Sequence, residues 1–198
     1  NLWSFFISPA AFLSGGFLLS LFFENAYFIH GIALIVAFLL FLFFNDVFVF
    51  LHHSFRYQAY ALENISNTLN ILSLWFWSTA LFGMIILVQF SLWTAALIFF
   101  CFVLFLEYEI LWIHKFDWRK EWARIILMAF VLSEFFVALS FFPTGFYTNG
   151  SVMAAIFYIF SGMERRFLLK RLDSRALLRY LGIGLGVAFL ILFTARWE

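Results

Sequence analysis

Long apolar runs, separated by short polar turns, occupy almost the whole of this 198-residue chain and restrict how it can fold. A helix needs about 20 apolar residues to cross the hydrocarbon core of a bilayer, and most of these runs have that length. Only 12% of the residues are charged, against about 25% in a typical soluble domain. So few charges cannot cover a folded surface in water. We therefore predict an all-α bundle of transmembrane helices that forms one integral-membrane domain over residues 1–198.

The turns divide the chain into seven apolar runs, and we interpret each of them as a membrane span. The predicted bounds are Leu2–Phe23, Ala26–Phe44 or onward to Leu51, Thr68–Val88, Leu92–Trp112, Trp122–Phe142, Ser151–Met163 and Ala176–Thr194. The sixth run is short, because its residues give only about 20 Å of helix. It either re-enters the membrane or extends at both ends, through Phe146–Tyr147 and Phe167–Leu169, while Arg165 and Arg166 reach toward the headgroups.

The basic residues predict the orientation of this bundle. If all seven runs cross, the loops after the second, fourth and sixth spans lie on one side of the membrane. Of the 12 Lys and Arg residues, only Arg196 falls on the other side. Because basic residues concentrate in cytoplasmic loops, we expect the N-terminus to be cytoplasmic. The basic segment Glu164–Arg175 is predicted to form a short interfacial helix on that side.

The most polar stretch is Asn45–Asn70, between the second and third spans. Seven polar residues recur there at helical spacing and would share one stripe of a continuous helix: Asp46, His53, Arg56, Tyr60, Glu63, Asn67 and Asn70. We predict helix over Arg56–Asn67 at the cytoplasmic surface, with Asp46 and His53 turned toward the ends of the fourth and fifth spans. Ser66 or Asn67 would cap the third span.

Two interpretations of this stretch remain open. In one, Asp46, His53 and Glu63, together with His114 from the next basic loop, form a catalytic site that acts on a lipid headgroup. In the other, the stripe is a solvated face that meets water and headgroups. A site in which His53 and Glu63 converge around a cavity would favour the first interpretation.

Three acidic residues lie within the predicted spans and are candidates for an ion or proton path. Glu107 and Glu109 precede the end of the fourth span, and Glu134 lies near the middle of the fifth. A charge at mid-membrane costs at least about 2.5–3.5 kcal/mol, so we expect Glu134 to face the bundle interior. A neutral glutamic acid that is hydrogen-bonded to a neighbouring helix is the alternative for each.

No metal site, cofactor or nucleophile is predicted. The four histidines show none of the His-Glu spacings of metal-binding helices. The remaining candidates are contact sites. Arg165, Arg166, Lys170 and Arg171 could bind anionic headgroups, and Gly182 with Gly186 forms a Gly-x-x-x-Gly motif for close helix contact.

Three classes of function are compatible with these features. The first, which we favour, is a non-catalytic membrane component, either a scaffold or an accessory subunit. The second is a small proton-linked transporter or permease that uses the buried acids. The third is a lipid-headgroup-modifying enzyme at the cytoplasmic interface. Expected partners are membrane lipid and other membrane-protein subunits, and the distribution of the basic residues gives no basis for nucleic-acid binding.

Overall fold

The computed structural model describes residues 5–53, 55, 58, 60–168 and 173–195, and these residues form seven α-helices without strands. The all-α prediction is confirmed. In chain order the helices are α1 (Ile7–Ser20), α2 (Ala26–His52), α3 (Ala61–Val88), α4 (Leu92–Ile113), α5 (Trp118–Ser140), α6 (Phe146–Leu168) and α7 (Ser174–Thr194).

Five of the described helices contain segments that are long and apolar enough to cross a membrane, and these lie in α2, α3, α4, α5 and α7. The predicted continuation of the second span to Leu51 is confirmed, since α2 ends at His52. The first span is shorter than predicted, because α1 has 14 residues. The extension of the sixth run is confirmed: α6 has 23 residues and is therefore about 34 Å long.

Helix α3 is the centre of the bundle, and it packs against α6, α1, α4 and α2. Stacked aromatic rings also connect α3 to α5 and, through α5, to α4. Phe82 of α3 stacks on Phe136 of α5 with centroids 4.3 Å apart, and Phe136 stacks on Phe99 of α4 at 4.6 Å. Helices α2 and α7 are peripheral, since α2 buries only Val36 and Phe43 among its residues. Their large exposed apolar surfaces suit contact with lipid or with other membrane helices.

Small residues bring α3 and α6 into close contact. A methyl group on Gly150 would lie 2.8 Å from the Cα atom of Thr79, so only glycine fits there. The predicted contact of Gly182 and Gly186 is not made within the described bundle, because both are exposed and a methyl group on either would meet no atom within 4 Å. Gly184 between them is buried against Ile159 of α6 instead.

The polar stretch 45–70 is not a continuous helix. Helix α2 ends at His52, and α3 begins at Ala61 after Tyr60, whose φ of 68° places it in the left-handed region. The prediction of helix from residue 56 is therefore wrong at Tyr60, while Arg56 itself lies outside the described residues. The break separates Asp46 and His53 from Glu63, Asn67 and Asn70. The predicted cap is also wrong, because Ser66 and Asn67 lie inside α3.

Candidate functional site

Helix α4 carries a buried acid on each of two opposite sides. Glu107 and Glu109 are 0% and 1% exposed. Two residues along a helix correspond to a rotation of about 200°, so the two carboxyl groups point to different neighbours. Both acids lie within α4, which corresponds to the predicted fourth span, and each acid belongs to its own polar cluster.

The Glu109 cluster joins α4 to α1 and α3. Ser66 Oγ donates a hydrogen bond to Glu109 Oε1 at 2.5 Å, and Asn70 Nδ2 donates to Oε2 at 2.5 Å. Ser8 Oγ donates to Asn70 Oδ1 at 2.9 Å and lies 3.1 Å from Ser66 Oγ. Both carboxyl oxygens of Glu109 therefore have a partner, and all four side chains are buried.

The Glu107 cluster joins α4 to α5 and α6. The buried Glu107 carboxyl lies near that of Glu164, and Glu164 Oε1 is 3.0 Å from Arg124 Nε. Neither Arg124 Nε nor Glu164 Oε1 takes part in a hydrogen bond. The contact is therefore an ion pair whose geometry does not satisfy a hydrogen bond. Arg124 Nη2 also lies 3.4 Å from Glu121 Oε2 near the surface. The guanidinium of Arg124 thus lies between the buried carboxyl group of Glu164 and the partly exposed one of Glu121.

The oxygens of Glu107 and Glu164 accept no hydrogen bond from any N–H or O–H group of the described residues. A buried carboxylate without a donor is costly. Arg124, whose Nε is 3.0 Å from Glu164 Oε1, is the cation that offsets part of this cost.

His114 lies at the C-terminal end of α4, on the side that carries Glu107. Burial and, secondarily, the nearby charge of Arg165 lower the pKa of His114 from 6.5 to about 4, against an opposing effect of Glu63. The imidazole is therefore neutral at pH 7. Arg165 of α6 contacts α3, since its Nη1 donates a hydrogen bond to Asn64 Oδ1 at 3.4 Å.

A cavity of about 390 Å³ lies at the same end of the bundle. Its lining residues are aromatic and aliphatic side chains with three charged ones: Phe5, Phe50, Leu62, Glu63, Trp112, Ile113, Lys115, Phe116 and Asp117. Members of the Glu109 cluster lie one helical turn deeper than these residues on the same helices. Ser8 follows Phe5 by three positions, Ser66 follows Leu62 by four, and Glu109 precedes Ile113 by four.

The other predicted catalytic residues do not gather at this cavity. Glu63 lines it, but Asp46 and His53 belong to α2 and its C-terminal end, where Asp46 is half-buried and His53 is exposed. Helix α2 packs against α1 and α3. Phe50, which lies between Asp46 and His53 in the sequence, does line the cavity together with Trp112 of α4. The expected approach of Asp46 and His53 to the ends of the fourth and fifth spans therefore stays a prediction.

The predicted headgroup contacts are only partly within the described residues. Arg165 bonds to Asn64, and the Arg166 guanidinium lies 5.6 Å from the centre of the Tyr180 ring. Lys170 and Arg171 lie outside the described residues.

The expectation that Glu134 faces the interior is wrong. Glu134 is exposed and lines a groove on the outer surface between α4 and α5. The face of α5 that packs into the bundle is formed by other residues: Ile125, Ala129, Leu132, Phe136 and Leu139. These repeat at steps of four, three, four and three, and Glu134 lies off their stripe.

The sequence analysis misses four members of the two clusters. It predicts Glu164 in a basic interfacial segment and Ser66 as a helix cap, and it gives no site role to Arg124, at the start of the fifth span, or to Ser8. One signal was present in the sequence, since Ser66 and Asn70 are four residues apart and so share a face of α3. The partners across helices give no such signal. Among the described residues, no group of three His, Cys, Asp or Glu side chains could hold a metal ion.

A family model described as "Protein of unknown function (DUF5656)" matches residues 1–195. No curated protein and no solved structure matches the chain.

Proposed function

The chain belongs to the DUF5656 family, and we propose that it is a non-catalytic, multi-pass membrane component, a scaffold or accessory subunit that contacts other membrane proteins. The observation that supports this proposal is the separation of its three membrane acids. Glu107 and Glu109 occupy different clusters on opposite sides of α4, and Glu134 lies on the outer surface. None of the three lines the cavity at the end of the bundle.

The contacts of Glu109 favour a structural role. Both of its oxygens already accept hydrogen bonds, and its donors Ser66 and Asn70 are also in contact with Ser8. A substrate or ion at these buried oxygens would have to compete with Ser66 and Asn70. Membrane helices gain no hydrophobic stabilisation from leaving lipid, so hydrogen bonds and close packing hold them together. In our proposal the cluster fixes α1, α3 and α4 so that the outer helices present a constant surface.

The outer surface suits a protein that binds others within the membrane. Helices α2 and α7 expose large apolar side chains along most of their length, among them Phe38, Phe41, Leu185 and Phe189. We propose the same orientation as the basic residues indicate, with the N-terminus cytoplasmic. Lipid would then cover the outer faces that no partner covers, and Arg165 and Arg166 would lie near the cytoplasmic headgroups.

Native assembly size tests the proposal. The tagged full chain is extracted from its native membranes with a mild membrane-solubilising polymer. We expect the particle to have a protein mass greater than the 23.3 kDa of one copy. The purified chain in liposomes should conduct no protons. A particle that contains one copy only, together with proton flux by the purified chain, would overturn the proposal.

A proton-linked transporter is the second candidate, and the Glu107–Glu164 pair is the observation that favours it. The carboxyl groups of Glu107 and Glu164 are buried between α4, α5 and α6, and Arg124 forms an ion pair with Glu164. Liposomes loaded with a pH-sensitive dye would detect flux. If the protein is such a transporter, Glu107→Gln and Glu164→Gln abolish the flux, whereas Glu24→Gln, which changes an exposed turn residue, preserves it.

The interfacial enzyme has less support. It requires Asp46, His53, Glu63 and His114 in one site, but of these four only Glu63 lines the cavity. General acid–base catalysis requires heavy atoms of the two groups that exchange a proton to lie about 2.6–3.2 Å apart, or to be bridged by one water. No described contact joins His53 to Glu63 or His114.

A further inference from the structure

Glu134 is an acidic side chain on the outer face of a helix that lies in the membrane in our proposed function. It lies nine residues after Ile125 and eight before Phe142, the limits of the apolar part of this segment. It is therefore about 12–14 Å from either end, near the middle of the hydrocarbon. No described residue donates a hydrogen bond to it or forms an ion pair with it.

The surface around Glu134 is a groove and not a flat lipid-facing wall. A space of about 680 Å³ lies between α4 and α5. Its walls include large rings from Trp93, Phe100 and Phe130, and small side chains from Ala96, Ser133 and Ala138 lower its floor. Small residues in this position allow the backbone of another helix to approach closely. The Ser133 hydroxyl is already used, since it donates to the Ala129 carbonyl at 2.7 Å.

The chemistry of the groove indicates which kind of group would pair with Glu134. An acid at mid-membrane is costly unless it is paired, and such acids mark functional contacts. The lining includes no Lys, Arg, His, Asn or Gln, so the described groove supplies no basic or amide group to this carboxyl. Lipid tails have no donor. From the rise of the helix, Glu134 is about 12–14 Å from either interface. A lipid headgroup would have to leave the interface by that distance to reach it.

We infer that the α4–α5 groove binds a transmembrane helix of another protein that carries a Lys or Arg near its midpoint, paired with Glu134. This inference rests on the proposed function, because it assigns a partner chemistry to an accessory subunit. A second copy of this chain is less suitable, since its matching groove offers only another carboxyl. A basic side chain is complementary in charge and supplies several donors.

Synthetic transmembrane peptides provide a direct test with the full-length protein. Three Leu/Ala helices are compared, with Lys, Arg or Leu at the central position. Binding is measured by energy transfer in liposomes between a labelled peptide and the protein labelled at Ser91→Cys in a Cys101→Ala background. We expect the Lys and Arg peptides to bind at least about tenfold more tightly than the Leu peptide, which corresponds to about 1.4 kcal/mol.

Variants of the protein assign the effect to the carboxyl group. Glu134→Leu should abolish the preference for the basic peptides, and Glu134→Gln should reduce it. Glu24→Gln, at an exposed turn residue, is the matched acid-to-amide control and should preserve the preference. Helical content and particle size of each variant show whether it has folded, and Glu134→Gln changes too little volume to disturb the packing.

Two results would overturn the inference. One is equal binding of the three peptides. The other is energy transfer between two labelled copies of the protein that requires Glu134 and is unaffected by peptide, which would assign the groove to a homodimer. The native assembly size separates this failure from failure of the proposed function. If Glu134→Leu still runs in a large native particle, the subunit role stands and the partner contacts another face.

Discussion

Replacing Asn70 by alanine tests whether the Glu109 cluster holds α1, α3 and α4 together. The Asn70 side chain donates to Glu109 Oε2 at 2.5 Å and accepts from Ser8 Oγ at 2.9 Å. The residue is 1% exposed, so water cannot replace these contacts freely. The substitution removes two hydrogen bonds and deprives a buried carboxyl oxygen and a buried hydroxyl of a partner.

The expected loss of unfolding free energy is about 1–3 kcal/mol. Interhelical hydrogen bonds in membrane proteins average ~0.6 kcal/mol and reach ~1.7 kcal/mol, and Asn70 makes two. The costs of ~1–3 kcal/mol per unsatisfied group in soluble proteins would give a larger sum. The membrane values apply here, because unfolded helices in lipid also find partners for their polar groups.

Asn67→Ala is the matched control. Asn67 lies on the same helix, is half-buried, and makes no side-chain hydrogen bond with the described residues. Both substitutions raise helix propensity by the same amount, so the difference between them measures the cluster. We expect Asn67→Ala to change the unfolding free energy by less than about 0.5 kcal/mol. The assay is reversible unfolding in mixed micelles with increasing SDS, followed by tryptophan fluorescence and circular dichroism.

A double-mutant cycle with Ser8→Ala completes the test. Since Ser8 donates directly to Asn70, their coupling should be about 0.6 kcal/mol or more. The reasoning fails if Asn70→Ala destabilises no more than Asn67→Ala does. It also fails if the Ser8 and Asn70 effects are strictly additive, because two residues that share a hydrogen bond must couple.

Three further predictions concern packing, titration and topology. Gly150→Ala should destabilise by about 1–3 kcal/mol through overpacking against α3, whereas Gly182→Ala, which has open space, should be neutral or stabilise by up to about 1 kcal/mol; equal effects in the SDS assay would contradict the close α3–α6 contact. Burial lowers the pKa of His114 from 6.5 to about 4, so the folded state binds fewer protons, and its stability should fall as pH drops from about 6.5 to 4; His114→Gln should remove that part of the pH dependence, and a pKa near 6.5 by NMR would contradict the burial. In a cysteine-free background, Ser91→Cys should react with an impermeant maleimide from outside sealed cells and Lys120→Cys should not; the reverse pattern would invert the proposed orientation.

Some features of the candidate site follow from the sequence, but their partners do not. The spacing of Glu107 and Glu109 alone places them on opposite sides of one helix. It does not say which helix each side meets, so Glu164, Arg124 and Ser8 could be assigned only from the packed structure. For Glu134 the sequence-based prediction itself was wrong. The free-energy cost of a charge in the membrane predicted an inward-facing side chain. However, α5 has large apolar residues on every side, so the sequence of this helix does not distinguish its inner face from its outer face.

The sequence by itself determined the class of fold and most of the helices. Apolar runs of about 20 residues must satisfy their backbone hydrogen bonds internally in lipid, and helices do this locally. Tertiary structure alone decided which faces meet. Gly184 contacts α6 while the Gly182–Gly186 motif faces outward, and the polar stretch breaks at Tyr60 instead of forming one stripe. The reason is that helix formation depends on neighbours within a few residues, whereas the rotation of each helix about its axis depends on packing against residues far away in the chain.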